Sequence, residues 1–332
     1  MGFDSMAKQA HELLFLSRAH IEAVGLSMGD IVAVVEEAFK EKGKGDVEMP
    51  PKPGIHPAPD AFIHAMPAYL PKMRSAGVKW ISGFPENFKQ GLPYISGLVV
   101  LNDPDTGMPV AVMDGAWITA KRTGAATAVA AKYLARKDST SFGVLGCGVE
   151  GRTNLEAVLE VLENLEEVKA YDISRTSLKA YVNEMTAKFK LAVNPVKEPR
   201  GAVEGSDVIV TAGPILKNPV PTIESAWVKD GAFACPIDFD SYWKPEAMRS
   251  MRKFCTDDTA QLLYYKSTGY FQNIPDIYGD LGEIVTGQKH GREDDEERIM
   301  SMNLGLAIED MAVAVRVYER AKKLGIGQWL TL

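Results

Sequence analysis

Residues Phe142 to Gly151 read Phe-Gly-Val-Leu-Gly-Cys-Gly-Val-Glu-Gly, an apolar strand opening into the spacing Gly146-x-Gly148-x-x-Gly151. That spacing serves the binding of a pyrophosphate. Gly146 permits the tight strand-to-helix turn, Gly148 lets the backbone come close to the phosphates, and Gly151 lets the next helix pack on the sheet. The helix then aims its free N–H groups and positive dipole end at the anion. Further on, Val168 to Asp172 forms a second strand ending in an acid, with Asp172 lying 26 residues after Gly146. This is close to the place of the carboxylate that binds the adenine ribose. Such a carboxylate accepts from a free 2′-hydroxyl and repels a 2′-phosphate, which favours NAD. Arg175, three residues on, offers a cation to a phosphate and keeps NADP open as the second choice.

These residues must be held by strands and helices, and the pattern supplies them. Ser141 to Leu145 reads as a buried strand, and Asn154 to Leu162 has helical spacing with Leu155, Val158, Leu159 and Leu162 on one stripe. Strands near 142–145, 168–172, 207–211, 231–235 and 253–257 alternate with helical or looped segments, the sign of a Rossmann-type, doubly wound parallel sheet. The chain ahead of it is organised differently. Ser27-Met28-Gly29-Asp30 opens a helix with Ile31, Val34, Val35, Ala38 and Phe39 on one face, ending at Gly43 or Gly45. A Pro-rich stretch over 49–71 reads as an irregular connection. Strands at 76–82, 95–101 and 109–113 follow, the last two joined by the turn Asp103-Pro104-Asp105-Thr106-Gly107. A hairpin of that kind belongs to an antiparallel sheet, so this region reads as a separate α+β domain. Trp80 is assigned to packing. An alanine-rich helix, Ile118 to Arg136, carries the chain into the nucleotide domain. The charged run Lys289 to Arg298 reads as a solvated loop or helix start. Asn303 to Leu324 reads as one long helix with Leu304, Ala307, Ile308, Met311, Val315 and Tyr318 on its apolar side, able to pack back on the N-terminal domain.

Composition bounds the partners. The 332 residues carry a net charge of −7, with 46% hydrophobic and 24% charged residues, which describes a globular chain of two domains without a concentrated basic face. Nucleic acid and anionic membrane surfaces are therefore not expected as partners. The run Leu13-Leu14-Phe15-Leu16 is too short and too charged at its flanks for a secretory signal, and no stretch is long enough to span a bilayer, so a cytoplasmic protein is expected. Cys147, Cys235 and Cys255 are odd in number and widely spaced, which suits a reducing compartment. The histidines at 11, 20, 56, 64 and 290 show no ligand spacing, so no metal is expected.

Several motifs resemble, in order and spacing, the ornithine cyclodeaminase/μ-crystallin family. They are Met66-Pro67-Ala68-Tyr69, Gly77-Val78-Lys79-Trp80, Phe84-Pro85-Glu86-Asn87, Thr106-Gly107-Met108-Pro109, Met113-Asp114-Gly115, Thr119 to Ala125 and Ala131 to Arg136, around the mid-chain Gly146 to Gly151. The resemblance covers nearly the whole chain. It implies a substrate-binding and dimerisation domain, residues 1–122 plus 311–332, with the Rossmann domain, residues 123–310, inserted in it. It further implies a homodimer joined through the N-terminal sheets and a site in the cleft between domains. On it, Arg122 matches the carboxylate-binding arginine, near the start of a helix whose dipole would help. Lys79 matches the active-site lysine, and a lysine between Val78 and Trp80 on a strand needs an anion or a carbonyl for its ammonium. Asp238 matches the catalytic aspartate that orients the substrate amine and shuttles a proton. Val149 and Glu150 of the glycine loop, Thr211 after a later strand, and Asn303 match cofactor contacts, Asn303 alternatively serving as a helix N-cap. The aromatic pair Tyr242-Trp243 divides evenly between pocket lining and core.

Three positions depart from the ornithine cyclodeaminase pattern. Lys52 stands where that enzyme has an arginine, His64 where it has a glutamate, and Tyr94 where it has a threonine. Loss of the glutamate weakens recognition of a distal ammonium, so His64 and Tyr94 favour a neutral, acidic or aromatic side chain. The leading expectation is an NAD(P)-dependent oxidoreductase that interconverts a small amino acid and its imino or 2-oxo acid by hydride transfer at the α-carbon. Ornithine cyclodeaminase, with NAD recycled, and a non-catalytic crystallin-like binding protein are the alternatives.

Overall fold

Alternation along the strands places the first site residues. The computed structural model describes residues 11–332, so the first ten residues of the expected N-terminal domain lie outside the described residues. Six strands precede the glycine motif: β1 (Glu12–Leu16), β2 (Gly54–Ile55), β3 (Phe62–Leu70), β4 (Ser75–Gly83), β5 (Ile95–Asn102) and β6 (Pro109–Asp114). With the last strand of the chain, β15 (Gln328–Thr331), they form a seven-stranded sheet in the order β15-β1-β6-β5-β4-β3-β2. It is antiparallel except for β1 beside β6. The expected β5–β6 hairpin is there. The Pro-rich stretch is more ordered than expected: it holds β2 and runs into the nine-residue β3. Pro67 is tolerated because β2 pairs only with Ile63 and His64, leaving Pro67 on an open edge.

Successive side chains on a strand point to opposite faces. On β3 the buried set is His64, Met66, Ala68 and Leu70; on β4 it includes Ser75, Lys79 and Ile81. Lys79 thus shares the covered face, while Trp80 falls on the other. Trp80 is 50% exposed and stands directly across from Leu98, itself 46% exposed. The assignment of Trp80 to core packing is therefore corrected. Helices α1 (Arg18–Val24), α3 (Gly115–Leu134) and the C-terminal helix (Ala307–Leu324) cover the inner face, and α2 (Met28–Gly43) packs on α3 and the C-terminal helix. The start of α2 is as expected, with Ser27 and Asp30 closing a reciprocal capping box.

The second sheet has eight strands, all parallel, in the order β13-β12-β14-β11-β10-β7-β8-β9. They are β7 (Ser141–Leu145), β8 (Glu167–Tyr171), β9 (Ala192–Pro195), β10 (Val208–Thr211), β11 (Phe233–Pro236), β12 (Lys253–Thr256), β13 (Gly279–Asp280) and β14 (Ile299–Met302). Strand order reverses between β7 and β10, the crevice where ligands of doubly wound sheets bind. Helix α4 (Val149–Val158) begins within the glycine motif itself, five residues earlier than its apolar stripe indicates, because the motif supplies the first turn. Helix α5 (Arg175–Phe189) follows β8.

Two continuous helices join the sheets. The expected boundary at 122/123 falls inside α3, and the one at 310/311 falls inside the C-terminal helix. That helix begins at Ala307 and not at Asn303, since Gly305 takes φ +77°, which ends extended chain and admits no L side chain without strain. Its first nine residues are all buried, so it is a central element and more than an amphipathic cover. The charged run after residue 289 is a loop but is not simply solvated. Glu297 is buried against Lys253, and Arg292 donates to the carbonyls of Leu134, Asp294 and Glu297.

Candidate functional site

The glycine loop is set by close contacts. Gly146 takes φ +102°, and a Cβ there would lie 2.4 Å from the Ala212 carbonyl oxygen; one on Gly151 would lie 2.1 Å from the Gly146 oxygen. Gly148 differs, because a Cβ there meets nothing within 4 Å. Its missing side chain keeps space open in front of the loop. No side chain caps the N-terminus of α4, so its first N–H groups are free to receive an anion. Arg152 braces the loop by donating to the Cys147 and Gly148 carbonyls and pairing with Glu184. Asp172 lies just past β8. One of its oxygens accepts from Cys147 N (2.7 Å), the other from Ser174 N (2.7 Å), which fixes the carboxylate beside the loop with lone pairs to spare. Arg175 is exposed at the start of α5, and Val149 is 64% exposed.

A second group of predicted residues gathers between the inner face of the first sheet and the C-terminal helix. Lys79, on β4, is fully buried and donates to Asp310 (2.7 Å). Arg122, on α3, donates to Glu309 (2.7 Å) and lies 3.0 Å through Nε from Asp310. It is the eighth residue of α3, beyond the first turn where a helix dipole acts, so the expected dipole contribution to carboxylate binding falls away. Lys52 is buried and donates to the carbonyls of Leu304 (2.6 Å) and Gly305 (3.2 Å), with its ammonium 5.5 Å from the Tyr265 ring. A side chain on Gly305 would collide with the Arg122 guanidinium. Burial pushes the Lys79 ammonium down to about 7, helped by Arg122 and opposed by Asp310. Burial and Arg122 likewise lower Lys52 to about 8 against Asp257, Glu309 and Asp310. Burial opposes the charge of Arg122 too, but Asp310 and Glu309 outweigh it and raise its pKa.

His64 stacks on Phe62 with ring centres 4.3 Å apart and meets the edge of Tyr265. Burial, with Lys52, His56 and Lys79 nearby, lowers it to about 3, so the imidazole is neutral. Tyr265 continues into an aromatic cluster with Phe239, Tyr270 and Phe271.

The third group stands at the carboxyl ends of adjacent parallel strands. Asp238 follows β11, fully buried, accepting from the Thr211 hydroxyl (2.7 Å) and from Gly213 N (2.8 Å). Burial raises it to about 7 in spite of those donors. Phe239, directly after it, is held at φ +61°, a strained backbone at the turn that presents the carboxylate. Thr211 donates its hydroxyl to Asp238 and accepts from Trp243 Nε1 (3.3 Å), so the hydroxyl orients Asp238 and has one acceptor lone pair left over. Trp243 is core. The Tyr242 hydroxyl packs against Gly213, where a Cβ would lie 2.0 Å from it. The Tyr94 hydroxyl is buried without a hydrogen-bond partner, and burial raises it to about 12. Asn303 donates its backbone N–H to Pro236 at the end of β11 and accepts from Ser301; its amide nitrogen, also buried, has no acceptor. It is not the cap of the C-terminal helix, whose N-cap is Leu306.

Three acids and an amide that complete these groups were not singled out from sequence. Glu309 and Asp310 hold Arg122 and Lys79, Asp257 accepts from the N–H groups of Leu304 (2.8 Å) and Gly305 (2.6 Å), and Gln261 spans Lys52 and Gly305. The signal for Glu309 and Asp310 was available: two acids inside the apolar run from Leu304 to Val315 must be buried and must find cations.

A family model described as ornithine cyclodeaminase/mu-crystallin family matches residues 11–325. The alanine dehydrogenase of Archaeoglobus fulgidus is 37% identical over 95% of this chain and 97% of its own. Among solved structures, that of Thermococcus litoralis Δ1-pyrroline-2-carboxylate reductase, in complex with NADH and L-proline, superposes with a TM-score of 0.87 at 36% identity, covering 95% of this chain and 99% of the other. An archaeal alanine dehydrogenase dimer with bound NAD superposes with a TM-score of 0.86 at 34% identity, covering 97% and 100%.

Proposed function

The chain belongs to the ornithine cyclodeaminase/mu-crystallin family, and on that premise we propose that it is an NAD-dependent oxidoreductase interconverting an amino acid and its imino or 2-oxo acid. The observation that carries the reading is the burial of Lys79 and Arg122 together under the first sheet, and of Asp238 at the carboxyl end of a strand of the nucleotide sheet. Three charged groups are expensive to bury, and a fold that needed only stability would do better with apolar side chains. Relatives in which NAD or NADH is bound support the cofactor, and the uncapped α4 N-terminus with the open space before Gly148 fits a pyrophosphate.

In this reading Gly146, Gly148, Val149, Glu150 and Gly151 form the phosphate turn and Asp172 takes the ribose hydroxyls, with Asn303 offering its free amide. The nicotinamide, when bound, supplies or accepts the hydride at the α-carbon. Arg122 and Lys79 hold the substrate carboxylate, loosening their grip on Glu309 and Asp310. Asp238, with a pKa raised to about 7, takes or gives a proton at the amino nitrogen, since a general acid–base works best near the ambient pH. Lys52, neutral His64 and Tyr94 shape the side-chain end, which suits a small side chain without a distal ammonium. The residues 1–122 plus 311–332 then make the substrate-binding half, and 123–310 the nucleotide-binding half. A homodimer through the outer face of the first sheet is supported by the exposed Trp80–Leu98 pair and by the archaeal dimer. None of the helices among the described residues is long and apolar enough to cross a membrane. A cytoplasmic place of action fits three buried cysteines held as thiols.

The experiment is to incubate the protein with NADH or NADPH, ammonia and a panel of 2-oxo acids and cyclic imino acids, and to follow the nicotinamide absorbance. Turnover with NADH is expected. Ornithine-dependent release of ammonia and proline without net NADH use, and no turnover of the panel, would replace the reading by the cyclodeaminase. Dinucleotide binding with no turnover in either assay would favour the non-catalytic protein.

A further inference from the structure

The cations of the cluster pair off one by one. Lys52 faces Asp257, Lys79 is bonded to Asp310, and Arg122 is bonded to Glu309. One acid is left over. Glu150, in the first turn of α4, faces Arg122 from α3 and Lys79 from β4, with Thr153 of its own helix beside it. Its Oε2 is buried and has no hydrogen-bond partner. The remaining charged pair on this side of α4, Lys121 of α3 with Glu156, is closed on itself further along the helix, where Lys188 of α5 joins it. Glu309 and Asp310 of the C-terminal helix each have one oxygen bonded to these cations and the other buried without a partner, and burial raises Glu309 as well, whereas Glu150 receives no hydrogen bond from either cation.

A substrate carboxylate entering on Arg122 and Lys79 therefore brings a second unmatched anion into a space that already holds one. Like charges in a buried site cannot both stay ionised, and the proton goes to the acid least supported by donors. We propose that Glu150 is a positioning residue that takes up a proton as the substrate carboxylate binds, so that the glycine loop acts on the substrate clamp as well as on the dinucleotide. The inference rests on the oxidoreductase reading above. Burial raises Glu150 to about 7 already without a ligand, with Arg122 and Lys79 opposing. The proton uptake is thus accessible near neutral pH.

Lys79, also near neutrality, and Glu309, raised by burial, are rival sources of the same pH dependence, so the test is made in the Lys79→Arg background, whose cation keeps its charge at every pH, with Glu309→Gln as the second control. The full chain saturated with NADH is titrated with pyruvate, 2-oxobutyrate and L-proline from about pH 6 to 9, recording affinity and, by calorimetry in two buffers of different ionisation enthalpy, the protons taken up. In Lys79→Arg, affinity should fall about tenfold per pH unit above neutrality, with close to one proton taken up. Adding Glu150→Gln should flatten the dependence and abolish the uptake while the carboxylate still binds; adding Glu309→Gln instead should retain both. Equal slopes in Lys79→Arg with and without Glu150→Gln, or a slope lost only on adding Glu309→Gln, would overturn the inference. Failure of NADH or of all three carboxylates to bind the wild type would instead overturn the reading on which it rests.

Discussion

Replacing Thr211 by valine tests whether Asp238 is tuned by its neighbours. The two side chains have nearly the same shape, but valine removes the hydroxyl that donates to Asp238 at 2.7 Å. A hydrogen bond to a charged group contributes about 1.5–3 kcal/mol, and about 1.4 kcal/mol corresponds to one pKa unit. The donor stabilises the ionised carboxylate, so its loss must raise the pKa of Asp238 from about 7 by roughly one to two units. In the direction of amino-acid oxidation Asp238 must be ionised to accept the proton. The ionised fraction at pH 7 then drops from about half to between about one-tenth and one-hundredth. The assay is kcat/KM against pH for that direction. The ascending limb should move to higher pH by the same one to two units, with activity returning at alkaline pH. Thr211→Ser keeps the donor and should keep the wild-type limb. An unmoved limb in Thr211→Val, or an equal shift in Thr211→Ser, would refute the tuning. Some loss of stability accompanies valine, since Trp243 Nε1 also loses its acceptor.

Four further outcomes follow from the same geometry. Gly148→Ala should fold with wild-type melting temperature, because its Cβ meets nothing within 4 Å, yet lose dinucleotide affinity at least about tenfold in a fluorescence titration, whereas Gly151→Ala, with a Cβ 2.1 Å from the Gly146 oxygen, should unfold at markedly lower temperature. Asp172→Ala releases two loop N–H groups along with the ribose ligand, and should raise KM for NADH while narrowing the preference over NADPH, as initial rates with the two cofactors will show. Lys79→Met strips one partner from a buried pair; removing such a partner costs about 3–5 kcal/mol, and thermal melts should give the low end because Arg122 still faces Asp310. Glu150 has a folded pKa raised to about 7 from its ordinary value of 4.5; its ionised form costs stability that sets in above the unfolded pKa and is complete above the folded one, so Glu150→Gln should be more stable than wild type by on the order of 2–3 kcal/mol at pH 8 and no more stable at pH 4, as denaturant midpoints will test.

What could be read from the sequence and what could not divides along a physical line. The nucleotide sheet was legible strand by strand at β7, β8, β10, β11 and β12, because apolar runs such as Val208-Ile209-Val210, or alternation as in Val168 and Ala170 of β8, stand between turn residues. β9, β13 and β14 escaped: β13 is two residues, β9 ends on Asn194-Pro195 and β14 is Ile299-Met300-Ser301-Met302, so their strand character comes from their neighbours and not from their own pattern. In the first sheet, β1 and β15 are brought together from opposite ends of the chain, a pairing that no local signal encodes. Lys79 illustrates the same limit in reverse. Its burial was foreseeable from alternation with Ile81, but the partner that makes the burial tolerable, Asp310, lies 231 residues away.

The functional residues sort in the same way. Backbone requirements leave marks at fixed offsets, so the glycine loop and Asp172 could be placed by spacing alone. Charge compensation marks only that a partner is needed. Lys79 on an apolar strand and the acid pair Glu309-Asp310 in an apolar run each call for one, and only the fold shows that Lys79 and Arg122 already hold the acids of the C-terminal helix. This changes what the clamp must be. A preformed cationic pocket would bind any small anion that reached it, and a buried cation held by an internal carboxylate binds only a ligand that replaces the carboxylate's hydrogen bonds. Glu309 and Asp310 thereby set a threshold that a carboxylate must exceed, and the acid on the glycine loop sets its dependence on protons. Substitution of Glu309 by glutamine, which leaves the shape and removes the competitor, should accordingly widen the range of carboxylates bound more than it tightens any one of them.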